Sequence, residues 1–494
     1  MLILSESYIL EILQNTVESL PLFYPELLLA GVYVLLVLLD IFTPGQKHFA
    51  TSWIIVPVQL VVAGLVITMP EVDESRNSFS FFSGMLYVPT GWHAYLKLLF
   101  CLLMVVTVLF SDRYFKHQPK HRPYIYTSFL VVLQLGLHMM VMAKSIIAIY
   151  LAIEVVSIVS YILTYFNHNQ HSKEASLKYI IYGAFAPAIL LYGFSLLYGI
   201  GLESTPDTSL ITILASLFIY AGIFFKITAF PFHHWAPDVY QGAPIPVAAL
   251  FSIGPKIAGM VVLFTVTTFI AHLLPEYGAV LILGVAAILT LLVGTLAALW
   301  QKNAKKLLAY SSIAHAGFLM ISIITFHQTG ERVFLFYAFT YLCMNGGAFV
   351  LVAALQKISG SELISSYAGL GRKYPALGVI AILLMLSLTG LPPSAGFNAK
   401  WLLFSSLIEV ELFATMPILQ VLLAVGLLTT AVSLYFYLKI PYYMFFRQPT
   451  STISLDAVPK TYWLLLLVLT LPLLVFFLKM DLLLDLINFF LTTV

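Results

Sequence analysis

Charge is what this sequence has least of. Only 9% of its 494 residues are Asp, Glu, Lys or Arg, where a soluble chain carries about 25%. Hydrophobic residues make up 61% and the mean hydropathy is +0.98, so an ordinary soluble domain is excluded. Apolar runs along the whole length indicate a polytopic membrane protein instead. The net charge of +2, with no Lys/Arg-rich run, excludes a nucleic-acid partner. Cysteine is almost missing: Cys101 and Cys343 both sit in apolar runs, and no C-x-x-C spacing exists. Zinc, iron–sulfur and disulfide scaffolds are therefore not expected, and haem is not either, since His138 and His272 show no paired spacing. No Gly-rich turn follows a strand, so a dinucleotide has no seat here. The first 20 residues carry Glu6, Glu11 and Glu18 in place of a basic region. A cleaved signal peptide is not expected there; a short interfacial amphipathic helix is.

A span needs about 20 mostly apolar residues. On that measure fourteen fall near 22–42, 51–69, 92–111, 124–142, 145–166, 175–200, 209–236, 244–270, 275–299, 305–326, 331–356, 378–406, 417–444 and 460–480. These runs are continuous rather than alternating, so the expected fold class is all-α, not a barrel. Alternate loops hold fifteen basic residues: Lys47, Arg113, Lys116, Lys120, Arg122, Lys173, Lys302, Lys305, Lys306, Lys357, Arg372, Lys373, Lys439, Arg447 and Lys460. The other side holds four, Arg76, Lys144, Arg332 and Lys479, with the acids Glu71, Asp73, Glu74, Glu203, Asp207 and Glu411. The positive-inside rule then puts the basic loops in the cytoplasm and both termini outside.

Five basic residues remain in or near spans. Lys97 and Lys178, close to helix ends, are expected to snorkel to the headgroups. Lys226, Lys256 and Lys400 lie deeper, as does Glu154. A charge at the bilayer centre costs at least ~2.5–3.5 kcal/mol. A structural ion pair with Glu154 would account for one lysine and leave two alone. Desolvation disfavours the charged form of such groups, so a row of them can exchange protons with electrostatic coupling along it.

Two stretches break the apolar pattern. "KITAFPFHHWAPDVYQGAPIP", from Lys226 to Pro246, and "LTGLPPSAGFNAK", from Leu388 to Lys400, each set prolines beside a lysine. Proline removes a backbone donor and clashes with the preceding turn, which interrupts a helix. The interrupted spans are the seventh and the twelfth, five apart. They enter from opposite sides, as two inverted five-helix repeats would have them. The expected division is 1–123 for three leading helices, 124–270 and 271–444 for the repeats, and 445–494 for a last helix and tail. His233 and His234 follow the first break, and His315 lies in "AYSSIAHAGFL". His233 and His315 could relay protons; buried, hydrogen-bonded histidines with no such role fit equally.

The stretches "PFHHWAPDVYQGAPIPVAA", "IYLAIE", "ASLKYIIYGAFAPAILLYG", "KKLLAYSSIAHAGFL" and "LTGLPPSAGFNAKWLLF" resemble the subunit N family of NADH:quinone oxidoreductase, respiratory complex I, over nearly the whole chain. In that family Glu154, Lys226, Lys256 and Lys400 match a central hydrophilic axis, and Lys178 a further polar position. The resemblance implies proton translocation driven by quinone reduction elsewhere in the complex. NADH, FMN, iron–sulfur clusters and quinone would belong to other subunits, with no cofactor in this chain. Its partners would be the other membrane subunits and the lipid of the cell's inner membrane. Large subunits of multisubunit sodium/proton antiporters are relatives. Asp238-Val239-Tyr240-Gln241-Gly242 favours subunit N over them. A subunit that only spaces pumping neighbours is the other alternative, against which the intramembrane charges argue.

Overall fold

The computed structural model describes residues 20–43, 50–68, 85–87, 91–116, 122–200, 210–275, 277–448 and 458–493, with 10, 13, 14 and 17. Its main helices are α1 Tyr24–Phe42, α2 Ser52–Ile67, α3 Trp92–Phe115, α4 Pro123–Met142, α5 Ile146–Thr164 and α6 Gln170–Ile200. Then come α7 Leu210–Ile227, α8 Trp235–Gly242, α9 Ile245–Ile270, α10 Gly278–Leu299, α11 Ala304–Ile324 and α12 Glu331–Ser359. The last are α13 Pro375–Thr389, α14 Ala395–Glu409, α15 Pro417–Phe446, α16 Lys460–Leu478 and α17 Met480–Thr493. Among the described residues 12 helices are long and apolar enough to cross a membrane, and α2 and α13 are shorter apolar helices. Every expected span thus has its helix. Lys47, Arg76, Lys120, the loop acids Glu71, Asp73, Glu74, Glu203 and Asp207, and Glu6, Glu11 and Glu18 lie outside the described residues.

Local chemistry sets the ends. Asn169 and Ser172 cap each other's backbone N–H at 2.7 and 3.1 Å, which starts α6 five residues ahead of its apolar run. Asn303 accepts from Lys305 and Lys306 to open α11. Pro123, Pro375 and Pro417 stand at first helical positions, where the missing N–H costs nothing. Helix α17 occupies what the sequence suggests is a tail. Asp481, Asp485 and Asn488 interrupt its hydropathy, yet Leu483, Ile487 and Phe490 form a buried stripe at helical spacing.

Burial grades from centre to rim. In α9 and α12, 94% of the spanning window is buried, against 33% in α1, α15 and α16. A helix apolar on every face belongs in the centre, and α9 carries Lys256 there. Trp53, Leu60, Phe185 and Leu471 are among the large apolar side chains left exposed on outer helices, as suits a surface solvated by lipid or by neighbouring subunits.

Both expected breaks are present. Span seven is α7 and α8 with residues 228–234 between them, and span twelve is α13 and α14 with 390–394 between. Cis peptide bonds join Phe230 to Pro231 and Pro392 to Pro393. The first half-helix of each pair ends on a residue in the left-handed region, Thr228 at φ 61° and Gly390 at φ 85°. Glycine adopts that conformation freely; a β-branched threonine does so at a cost of about 1–3 kcal/mol.

Candidate functional site

Lys226 lies one residue before the end of α7 and is 3% exposed. Its Nζ donates to Ser157 Oγ of α5 at 3.0 Å. Its stem runs beside Gly259 of α9, where a side chain would meet Ile227 and Lys226. Glu154, one turn before Ser157 on α5, is half-buried. It feels the Lys226 charge, but among the described residues no ion pair joins the two. The lysine is engaged by a hydroxyl instead.

Lys256 follows Pro255 in the middle of α9. Its ammonium donates to both the carbonyl and the hydroxyl of Ser312 on α11. One turn along α11, His315 Nδ1 shares a hydrogen bond with Tyr337 at 2.7 Å, and Nε2 faces Tyr437 at 3.3 Å. Tyr437 in turn bonds Ser311. His315, 1% exposed, is within electrostatic reach of both Lys256 and Lys400. It is therefore the polar group between them.

Lys400 stands in the second turn of α14, beyond the break, yet its side chain folds back across it. Nζ donates to the carbonyl of Thr389, the last residue of α13, at 2.7 Å, and lies 3.4 Å from Thr430 Oγ1. It also sits 4.3 Å from the centre of the Phe318 ring, a favourable place for a cation. Thus Lys226 and Lys400 stand on opposite sides of their breaks in sequence, and Lys400 brings its ammonium group to the carbonyl end of the first half-helix. That end carries the negative pole of the helix dipole. Gly390 is required there, because a Cβ would come 2.5 Å from Lys400 Cδ.

Polar cavities open towards both ends of the helix bundle. At the end bearing Lys302, Lys305 and Lys306, one of about 680 Å³ is lined by Asn167, His168, His171, Gln241, Lys305 and Glu362. Lys305, read from the sequence as a loop residue, is 3% exposed; it pairs with Glu362 at 2.8 Å and donates to the Gln241 carbonyl at 3.1 Å. Lys178 lies outside the central row, lining a neighbouring cavity of about 200 Å³ that shares His171 and Gln241 with this one. It bridges Glu174 at 2.8 Å and Asp238 at 3.0 Å, with Lys306 3.4 Å from the same Asp238. At the opposite end a cavity of about 330 Å³ lies between α12, α14 and α17, lined by Glu331, Arg332, Ser405, Ser406 and Glu409. Ser406 contacts Thr325 there at 3.4 Å.

His233 lies in the linker of the first break, 6% exposed, stacked against Phe230 and tilted against His234, with no partner for Nδ1 among the described residues. Among the described residues no hydrogen bond joins it to the lysines. Lys97 departs from expectation. It does not snorkel: it is 0% exposed and pairs with Glu26 at 2.8 Å. The serines and tyrosines around His315 and the Glu26 contact were not singled out from the sequence. For Glu26, Lys97 and His138 a signal was available, since all three lie within two turns of span ends expected on one side. Among the described residues no three His, Cys, Asp or Glu side chains converge as metal ligands.

Comparison with known proteins follows the same lines. The sequence profile of the NADH:quinone oxidoreductase/Mrp antiporter transmembrane family matches residues 143–429. A protein of Chlorobium chlorochromatii named NADH-quinone oxidoreductase subunit N is 35% identical over 91% of this chain and 90% of its own. One of Chloroherpeton thalassium, named subunit N 2, is 36% identical over 86% and 85%. A chain in a structure of respiratory complex I from Thermus thermophilus superposes with a TM-score of 0.76 at 30% identity, covering 93% of this chain and 98% of that one. A chain of the Mrp complex from Dietzia, at 17% identity and TM-score 0.77, shares the fold.

Proposed function

The chain belongs to the NADH:quinone oxidoreductase/Mrp antiporter family of membrane subunits, within its subunit N branch, and on that premise we propose that it translocates protons within a respiratory complex. The path runs from Glu154 and Lys226 through Lys256, Ser312 and His315 to Lys400. One observation carries the reading. Three lysines, each at most 4% exposed, lie across the middle of the bundle. Among the described residues none has a carboxylate at ion-pair distance; hydroxyl and carbonyl oxygens hold them instead. A tie between helices would use a paired charge, whereas a carrier must be able to lose its proton without stranding a partner. Carrying one charge across 100 mV costs about 2.3 kcal/mol. The chain's part is to release and rebind protons in step with charge movement at Glu154. Closing the Glu154–Lys226 pair would hold a proton on Lys226, and opening it would free that proton towards Lys256.

In this reading the mouth lined by His168, Lys305 and Glu362 faces the cytoplasm and supplies protons. The mouth lined by Glu331 and Glu409 faces outward and receives them. Lys178 and His233 serve the first mouth, and the segments 124–270 and 271–444 are the inverted repeats that place one broken helix each. Electron transfer, with NADH, FMN, iron–sulfur clusters and quinone, falls to partner subunits. The test is Lys256→Arg in the intact complex, reconstituted in vesicles. Arginine keeps the charge but does not give up its proton, so quinone reduction by NADH should continue while most proton pumping per quinone is lost. Pumping equal to the parent's would make Lys256 a fixed charge and end the relay reading. Co-purification without other complex I subunits would instead favour a sodium/proton antiporter.

A further inference from the structure

Outside the lysine row, helices α1, α3 and α4 close on another set of ionisable side chains. Glu26 comes from the first turn of α1, Lys97 from the second turn of α3 and His138 from the last turns of α4. Glu26 Oε1 lies 2.8 Å from Lys97 Nζ and 2.8 Å from His138 Nδ1, and all three side chains are 0% exposed. Next to them Gln134 reaches Cys101 Sγ at 3.6 Å and exchanges two amide hydrogen bonds of 2.8 Å with Gln59 of α2. These residues lie before the segment 143–429 that matches the family profile.

Among the described residues the second oxygen of Glu26 and the second ring nitrogen of His138 are buried with no hydrogen-bond partner. A static tie between helices is complete with the Lys97–Glu26 pair. It has no use for a third titratable group with a bare lone pair. With Nδ1–H donated to the carboxylate, Nε2 of a neutral imidazole is an open basic site. We infer that Glu26, Lys97 and His138 form a second proton-binding site, separate from the lysine row, at which His138 Nε2 takes up and releases a proton beside the shared carboxylate.

The charge account supports it. A glutamate anion, a lysine cation and a neutral histidine sum to zero; the added proton makes the site +1, with Glu26 Oε1 shared by both cations. Among the described residues the charged groups acting on His138 are Glu26 from α1 and Lys97 from α3, with Cys101 one turn further along α3. Helix α5 offers only Val155 and Val156 where it meets α4 at Gly136, and α9 offers Gly254. The distance to water is short. Lys97 is five residues from the start of α3 and His138 four from the end of α4, which is about 6–8 Å of helix. Both of those helix ends lie opposite the basic one. The site also has a physical route to the row. Leu137, next to His138, and Leu103 press on Gly254, two residues before Lys256. A rearrangement at His138 on gaining charge is therefore passed to α9 by packing.

That consequence rests on the proposed row; the proton binding itself does not. The test uses the intact purified complex with His138→Gln, which keeps a side-chain amide donor for Glu26 but cannot titrate. Infrared difference spectra between pH 6 and pH 8 should lose a histidine and a carboxylate band in the variant, and the pH profile of pumping should shift along the pH axis. The double variant Glu26→Gln with Lys97→Met removes both charges together and should lose the same bands. Parent-like spectra in both variants overturn the site. If Lys256→Arg pumps normally while the His138 bands are still lost, the row has failed and this site stands.

Discussion

Lys256 holds both oxygen atoms of Ser312 and no carboxylate, whereas Lys97 holds Glu26 and is as deeply buried. The two lysines should therefore respond oppositely to substitution. Removing Lys97 alone leaves Glu26 as an uncompensated buried charge, which costs about 3–5 kcal/mol. Lys97→Met should accordingly lower the yield of assembled complex, and Lys97→Met with Glu26→Gln should restore it. Recovery is read from native gels of detergent-solubilised membranes; a double variant no better assembled than the single one would contradict the pairing. The lysines of the row were legible in the sequence because Lys256 sits deep in a long apolar run and Lys226 and Lys400 each flank a proline-marked break within a span. Lys97 was misread for the opposite reason. Its place near a helix end suits snorkelling, and nothing linear says that the first turn of α1 and the last turns of α4 cover it. The hydroxyls of Ser312, Tyr337 and Tyr437 were invisible for a related reason: serine and tyrosine are common in spans, and only packing tells which of them meet a charge.

At the scale of the helix, prolines announced where spans seven and twelve break, but not how the lysines relate to the breaks. Lys226 precedes its break and Lys400 follows its own, a difference that the folded side chain of Lys400 largely cancels. Gly390 makes that reversal possible. In Gly390→Ala the new methyl would meet Lys400 Cδ at 2.5 Å and would also hold alanine at φ 85°. The expected outcome is an assembled complex that reduces quinone but has lost most of its pumping, because the ammonium is displaced from the Thr389 carbonyl. A variant that pumps fully would show that Lys400 need not fold back. Helix α17 marks the limit of hydropathy. Its acids mask an amphipathic stripe that only its packing on α3 and α12 makes plain.

For the molecule as a whole, the ordering of spans fixes more than any single site. The fourteen-span reading puts the basic loops, and with them the cavity lined by Lys305 and Glu362, on one side of the membrane. Reporter fusions after Arg122 and Lys373 should register the cytoplasm, and a fusion after Asp207 the outside. One reversed reporter would undo the direction assigned to the proton path. The same whole-chain view gives Lys305 a mechanical meaning. Helix α8 is fastened to α11 at its far end through Lys305 and to α6 from its first turn through Asp238 and Lys178. Its first residue, Trp235, stacks on Tyr179 of α6 at 4.4 Å, and its Nε1 donates to the Phe225 carbonyl of α7 at 3.1 Å. A rod held in this way moves as a unit, and the Trp235–Phe225 bond ties its motion, across the seven-residue linker 228–234, to the residue next to Lys226. Small displacements of the neighbouring helices are thereby passed to Lys226, the lysine whose partner changes in the proposed cycle.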